Sequence, residues 1–352
     1  MSLDSKKTVF VCGAGHQGLS MAAHLALNGL EINLWNRTPE NIRKVVETGV
    51  IHCSGIVEGE AKISRVSSNM ADVVADLVMV TTPSYAHRDI ARKLAPYVHK
   101  DMVIILNPGR TFGAIDFAEE LKKCGVDDMP QIAETQTIVY TCRRSGQNST
   151  KIYALKKDVE IAAIKGSSID YIMNVLPICL KPFFKVVNSV AITSLSNVGM
   201  VLHCSPVMMN IGWIETEKAP FKYYYDGISK SVAHFIEKID RERIGVARAN
   251  GFKVESLKEW LCRTYNVRGN TLYECIRSND AYKEIDAPPT INTRYIFEDV
   301  PYGLVPIEAL ALDCGIETPN ITTIINLVNS VFDTDYRKQG RRFTLEQLEK
   351  YI

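Results

Sequence analysis

Thr8-Val-Phe-Val-Cys12, followed at once by Gly13-Ala14-Gly15-His16-Gln17-Gly18, is the stretch whose reading decides the fold. The first five residues are an apolar run that stops at a glycine, the pattern of a strand buried on both faces. The next six form G-x-G-x-x-G. From Gln17 to Asn28 the spacing turns helical, with Leu19, Ala22, Ala23 and Ala26 on one face and Gly29 as the stop. Glu31–Trp35 then reads as a second strand. A glycine motif between a strand and a helix, inside one strand–helix–strand unit, is a dinucleotide-binding fingerprint. Its first glycine permits the tight turn, its second lets the backbone approach a pyrophosphate, and its third lets helix and strand pack closely. The helix start offers N–H groups and a positive dipole end to the phosphates.

The end of the second strand tunes this reading. Enzymes that use NAD commonly place an acidic residue there for the ribose hydroxyls. This chain has Asn36-Arg37-Thr38 instead. No carboxylate repels a 2′-phosphate; Arg37 can pair with one and Thr38 can hydrogen-bond it. The expected cofactor is NADP in preference to NAD, with Asn36 serving the ribose as the other option. Thr38 is also placed to cap a helix that opens with Pro39. Leu77–Thr81 is a further strand, ending at Thr82-Pro83, which joins the expected cofactor contacts. A helix is expected over Ser84–Val98 and a strand over Met102–Leu106. Gln131–Tyr140, Lys151–Leu155 and Val159–Ile164 read as antiparallel strands added to the sheet. After Lys181-Pro182 the pattern is helical, with a long amphipathic helix within Gly227–Asn250 and a capping box at Thr344-Leu-Glu-Gln347. The expected architecture is therefore α/β: a doubly wound Rossmann sheet with added antiparallel strands over residues 1–183, then an all-helical domain over 184–352.

Composition narrows the function classes. Of 352 residues, 46% are apolar and 23% charged, the balance of a globular protein. The net charge of +1, without a basic block, argues against a nucleic-acid or membrane-surface partner. No signal-peptide stretch and no run of about 18 apolar residues is expected, so the cytoplasm is the expected location. The nine cysteines are odd in number and have no CxxC spacing, which predicts reduced thiols and no metal site.

Three later segments carry candidate chemistry: Asn197–Pro206 with His203, Tyr224-Tyr225-Asp226-Gly227, and Arg294–Pro306 with Glu298 and Asp299. Together with the glycine loop, Pro83 to His87, Asn107-Pro108-Gly109-Arg110, and Glu134-Thr135-Gln136 with Tyr140, the first and third of these make the chain similar to the octopine/nopaline (opine) dehydrogenase family over most of its length. The resemblance implies a dinucleotide domain, a helical domain, and an active site in the cleft between them. It also implies reductive condensation of an amino acid with an α-keto acid: an imine forms and NAD(P)H reduces it. Within the family pattern His203 matches the catalytic histidine, Asp299 its carboxylate partner and Arg294 an anchor for a substrate carboxylate. Thr135 and Gln136 are further candidates for substrate contact.

The residue types suit that chemistry. An imidazole of ordinary pKa about 6.5 exchanges protons near neutrality. A carboxylate on its second nitrogen fixes the tautomer, a part open to Asp299 or Glu298. A guanidinium binds carboxylates through two parallel hydrogen bonds. Because Asp299 precedes Val300-Pro301, the Arg294–Asp299 segment is expected to be extended or turned, and Pro206 is expected to disturb a helix around His203. Arg143 and Arg144 read as solvated charges that can attract acidic substrates. Two other functions fit a dinucleotide domain: an NADP-dependent reductase of a simple keto acid, similar to ketopantoate reductase, and a non-catalytic dinucleotide sensor. The first relies on a lysine acid that is absent near His203; the second predicts loss of the His203, Asp299 and Arg294 trio. Exposed helical faces in the second half would let two chains pair as a homodimer.

Overall fold

The computed structural model describes residues 7–216 and 221–352. The N-terminal segment inspected above for a leader lies, up to residue 6, outside them. The chain forms two compact units: Met1–Thr193 with Tyr351–Ile352, and Ser194–Lys350.

Among its described residues the first unit contains twelve strands: β1 (Thr8–Cys12), β2 (Glu31–Trp35), β3 (Val50–Gly55), β4 (Gly59–Lys62), β5 (Arg65–Ser67), β6 (Leu77–Val80), β7 (Val103–Leu106), β8 (Gln131–Thr135), β9 (Tyr140–Arg144), β10 (Ser149–Leu155), β11 (Val159–Ala163) and β12 (Phe184–Val186). Eight of them make one sheet in the order β12-β11-β8-β7-β6-β1-β2-β5. Strand β1 lies between β2 and β6 and is parallel to both, with Thr8 opposite Glu31 and Val9 opposite Leu77. Every residue of β6 and β7 is buried, which is why both read as unbroken apolar runs.

The added strands differ from expectation. β8 continues the parallel run beside β7, and only β11 joins it antiparallel. β9 and β10 leave this sheet and form a second one, in the order β4-β3-β10-β9. β3 and β4 come from the short alternating segment between the second and third large-sheet strands of the chain, where no strand was expected. The second sheet covers the helix His16–Leu27, whose residues Gln17 to Leu25 are all buried. That explains polar groups on its far side. Ser20 Oγ lies 2.7 Å from Thr150 Oγ1, and His24 Nδ1 lies 3.0 Å from the Tyr140 hydroxyl. Burial lowers the pKa of His24, as befits a neutral structural imidazole.

The division of the chain falls after Thr193 rather than after residue 183, because β12 pairs with β11 as the edge of the large sheet. The last two residues return to the first unit: Tyr351 O accepts from Lys165 N at 2.7 Å, and its hydroxyl meets Lys122 and Glu119.

The second unit is helical. Its centre is the helix Lys230–Ala249, capped by Ser229 and packed on Gly199–Met209, Val305–Asp313 and Pro319–Val331. A buried ion pair inside it, Arg243 to Asp240 at 2.7 Å, also donates to Leu195 O and Glu255 O, so no donor edge of the guanidinium is stranded. Val190–Met209 is, contrary to expectation, long and apolar enough to cross a membrane; 83% of its most apolar window is buried inside the protein, so that surface is used in packing. None of the nine cysteines forms a disulfide. Among the described residues, no cluster of His, Cys, Asp and Glu suits a metal.

Candidate active site

In the first unit the glycine loop has the geometry that its sequence demands. Gly13 has φ +119°, and a Cβ there would lie 3.0 Å from both Thr81 Oγ1 and Thr82 Cγ2. A Cβ on Gly18 would run into Gly13 O, so the third glycine brings the helix onto the loop. Gly15 caps the helix and nothing lies within 4 Å of where its Cβ would be. Beside this open backbone, Gln17 Nε2 and Thr82 Oγ1 are buried without a hydrogen-bond partner. Buried donors of this kind call for an acceptor. Open N–H groups at a twelve-residue helix start, with two unsatisfied polar side chains, fit the phosphates of a dinucleotide.

The loop after β2 is organised around Asn36. Its Oδ1 accepts from Ala14 N at 3.2 Å and its Nδ2 donates to Thr38 O at 2.9 Å, so Asn36 braces the two loops against each other. Arg37 and Thr38 are exposed. Thr38 precedes a single 3₁₀ turn, Pro39–Asn41, and makes no side-chain cap. The expected helix over Ser84–Val98 is broken into Ser84–Ala86, His87–Leu94 and Ala95–Tyr97, with Pro83 at its start.

Two residues have parts in this unit that their sequence does not show. Arg144 is no solvated charge. It donates to Ala14 O (3.2 Å), Asn41 O (2.7 Å), Gly146 O (2.7 Å) and Gln147 O (3.1 Å). Glu134 is fully buried and accepts from Ala114 N and from the Thr193 hydroxyl, both at 2.8 Å. It thereby serves the first turn of the helix Gly113–Lys123, next to the cis Asn107–Pro108 bond. Thr135 is buried and gives its hydroxyl proton to Leu106 O at 3.3 Å, which joins strands and occupies the donor proposed for a keto acid. Gln136 is buried at the same strand end.

The second unit joins two segments that are remote in sequence. His203 Nδ1 lies 2.7 Å from Asp299 Oδ2; the Asp299 side chain is fully buried and that of His203 is 15% exposed. Glu298 pairs instead with Arg294 at 3.3 Å. The face of His203 stacks on Tyr295, with ring centroids 4.1 Å apart and planes 18° apart. The Tyr223 hydroxyl donates to His203 O at 2.6 Å, and burial holds that phenol well above its ordinary pKa, so it stays a donor. Two local expectations fail here. The helix Gly199–Met209 runs through Pro206, with the Asn210 side chain donating to Pro206 O. The Arg294–Asp299 segment is helical rather than extended: Arg294–Phe297 is followed by a wide turn over Val300–Leu304, and Pro301 sits in its first turn, where its missing N–H costs nothing. The imidazole is thus fixed at one edge by Asp299 and on one face by Tyr295, while Tyr223 anchors the backbone beneath it. With Nδ1 committed to Asp299, Nε2 is the nitrogen available for exchanging a proton.

Residues 186–332 match the family described as NAD/NADP octopine/nopaline dehydrogenase, alpha-helical domain, and residues 9–123 match ketopantoate reductase PanE/ApbA. An opine dehydrogenase from Arthrobacter sp. (strain 1C) is 35% identical over 345 residues, spanning 97% of this chain and 95% of that protein. The chain belongs to the opine dehydrogenase family. A vitopine synthase from Allorhizobium ampelinum is 23% identical, over 95% of this chain and 93% of its own. Octopine dehydrogenase solved with NADH and agmatine shares the fold of this opine dehydrogenase at a TM-score of 0.78, with 18% identity over 93% of this chain and 90% of that one. Yersinopine dehydrogenase with NADP⁺ bound does so at 0.75, with 12% identity over 98% and 95%. The ketopantoate reductase family match falls within the dinucleotide part, and the octopine/nopaline dehydrogenase match falls on residues 186–332. This opine dehydrogenase is therefore a nicotinamide-dinucleotide-dependent oxidoreductase that acts on CH–NH bonds by reductive condensation of an amino acid with an α-keto acid.

Proposed function

We propose that His203 is the acid–base residue of this opine dehydrogenase, that Asp299 holds it in the working tautomer, and that the half-exposed Arg294 takes a substrate carboxylate. The observation that carries the reading is the 2.7 Å contact between His203 Nδ1 and a fully buried Asp299 carboxylate. The amino acid arrives as an ammonium and attacks a carbonyl only after losing a proton, which His203 Nε2 accepts. Asp299 stabilises the imidazolium so formed without itself being protonated. Loss of water from the resulting carbinolamine needs a proton on the departing hydroxyl, and His203 returns the one it took. That loss leaves the imine protonated on nitrogen, and a reduced dinucleotide, when bound, would supply the hydride that makes it the neutral secondary amine. Glu298 steadies Arg294 through Nε. Thr135 is committed to Leu106 O and serves the strand end, beside Gln136.

The same reading favours NADP over NAD. The loop after β2 offers Arg37 and Thr38 in the open, presents no carboxylate at the strand end, and uses Asn36 for bracing rather than for a ribose. A cytoplasmic location agrees with nine cysteines of which none forms a disulfide. The decisive experiment supplies purified protein with NADPH or NADH, pyruvate or another α-keto acid, and a panel of amino acids. Oxidation that requires both the keto acid and an amino acid, and runs better with NADPH, is expected. Oxidation with the keto acid alone would replace the reading with a simple keto-acid reductase.

A further inference from the structure

We infer that Arg144 is a positioning residue for the dinucleotide, acting from the second sheet on both loops that are to hold it. This rests on the cofactor site proposed above. Arg144 ends β9, at the turn into β10, outside the doubly wound sheet. Its Nε and Nη2 donate to Gly146 O and Gln147 O of that turn, which fixes the guanidinium to its own hairpin. From there Nη1 reaches Ala14 O, inside the glycine loop, and Nη2 reaches Asn41 O, in the 3₁₀ turn that follows Arg37 and Thr38. The hairpin grips the loop a second and third time: Arg144 N donates to His16 Nδ1 at 2.8 Å, and the Cys142 thiol to His16 O at 3.4 Å. One planar cation therefore spans the segment expected to hold the pyrophosphate and the segment expected to hold the adenosine ribose. It sets their spacing before any ligand arrives.

Only a guanidinium can do this. Its donors diverge in a rigid fork and satisfy several carbonyls at once, whereas an ammonium is a point donor on a flexible stem. A cofactor that meets loops already spaced does not have to order them, and loosening them lowers affinity by the fraction of time they are misplaced. The effect is indifferent to the 2′-phosphate. This separates Arg144 from Arg37, which is expected to touch that phosphate and to discriminate between the two cofactors.

The test measures dissociation constants for NADPH and NADH by quenching of protein fluorescence, and amide hydrogen exchange of residues 13–18 and 36–42 in the cofactor-free protein. For Arg144→Met the expected result is a loss of about ten- to thirtyfold in affinity, equal for both cofactors, as expected when preorganisation is removed. Exchange in the two loops should quicken while the helix Lys230–Ala249 keeps its rate. Arg144→Lys should fall within threefold of Arg144→Met, and it carries the same comparison if the methionine variant does not fold. Affinities within twofold of wild type with unchanged loop exchange would overturn the inference. So would full rescue by lysine, which would make charge the cause. A loss confined to NADPH would make Arg144 a phosphate ligand instead. If the wild type bound neither dinucleotide, the cofactor assignment would fail, while the exchange comparison would still decide whether Arg144 spaces the loops.

Discussion

The two halves of this enzyme's chemistry are built in opposite ways. The glycine loop is local: six consecutive residues between one strand and one helix make the turn, leave Gly15 open and bring Gly18 onto Gly13. The His203–Asp299 pair spans 96 residues and exists only because Gly199–Met209 and the helical run beginning at Arg294 pack together. A local motif is enforced by sterics within a few residues. A remote pair is enforced by the packing of whole helices, and without the family pattern neither segment shows which residue of the other it meets.

The largest effect that tests this contrast falls on the remote pair. Asp299→Asn and His203→Gln are each expected to lower kcat by about 10²–10⁴, the range for removing a positioned proton-transfer group. The dissociation constant for the dinucleotide should stay unchanged, because the glycine loop does not depend on that pair. Unaltered kcat in steady-state assays at saturating cofactor would remove His203 from the chemistry.

Next comes the local side. Gly18→Ala forces a methyl against Gly13 O, and overpacking of this kind costs about 1–3 kcal/mol. Thermal unfolding should register that loss, and both cofactors should bind more weakly together. Wild-type affinity for either one would mean that the third glycine is not needed for close approach of helix and loop.

A smaller change sharpens the cofactor choice. Arg37 is exposed, so its pairing with a phosphate is worth up to about 1 kcal/mol, or roughly fivefold in affinity. Arg37→Ala should weaken NADPH by that factor and leave NADH alone in a binding titration. Equal weakening of both would end the NADP preference.

The smallest effect on function lies outside both half-sites. Burial, with Arg110 nearby, pushes the Lys156 ammonium down to about 8. Its unfolded value is about 10.4. Between these values the unfolded chain binds the additional proton, so stability rises with pH. Below pH 8 both states are protonated and the full cost of burying the charge is present. The stability of wild type relative to Lys156→Met, measured by urea unfolding, should therefore increase from pH 8 to about 10.4. A flat difference across that window would show the ammonium to be well solvated.

Much of the first unit was legible in sequence. The runs at Thr8–Cys12 and Val103–Leu106 and the helix start at the glycine loop declare themselves by period and punctuation, as does the long helix of the second unit, ended by Gly251. The second sheet did not. Val50–Gly55 and its neighbour Gly59–Lys62 are short, and the other partner of Val50–Gly55, β10, lies about a hundred residues on, so the hairpin does not announce the sheet it joins. Arg144 was misread for a related reason: its acceptors are all backbone carbonyls, which any sequence supplies. Pro206 and Pro301 suggested breaks, yet helix-forming neighbours and first-turn placement absorbed them. Thr135 looked like a substrate contact because it ends a strand, but the neighbouring strand takes its hydroxyl.

By itself the sequence determined what depends on short-range sterics and hydrophobic period: the dinucleotide loop, the parallel core strands, the acid-free end of β2 and the helical second half. Tertiary structure alone decided which carboxylate meets His203, which arginine is spent on the backbone and where the first unit ends. Those choices are made by contacts between residues far apart along the chain, and they form only when burial of apolar faces has brought the elements together.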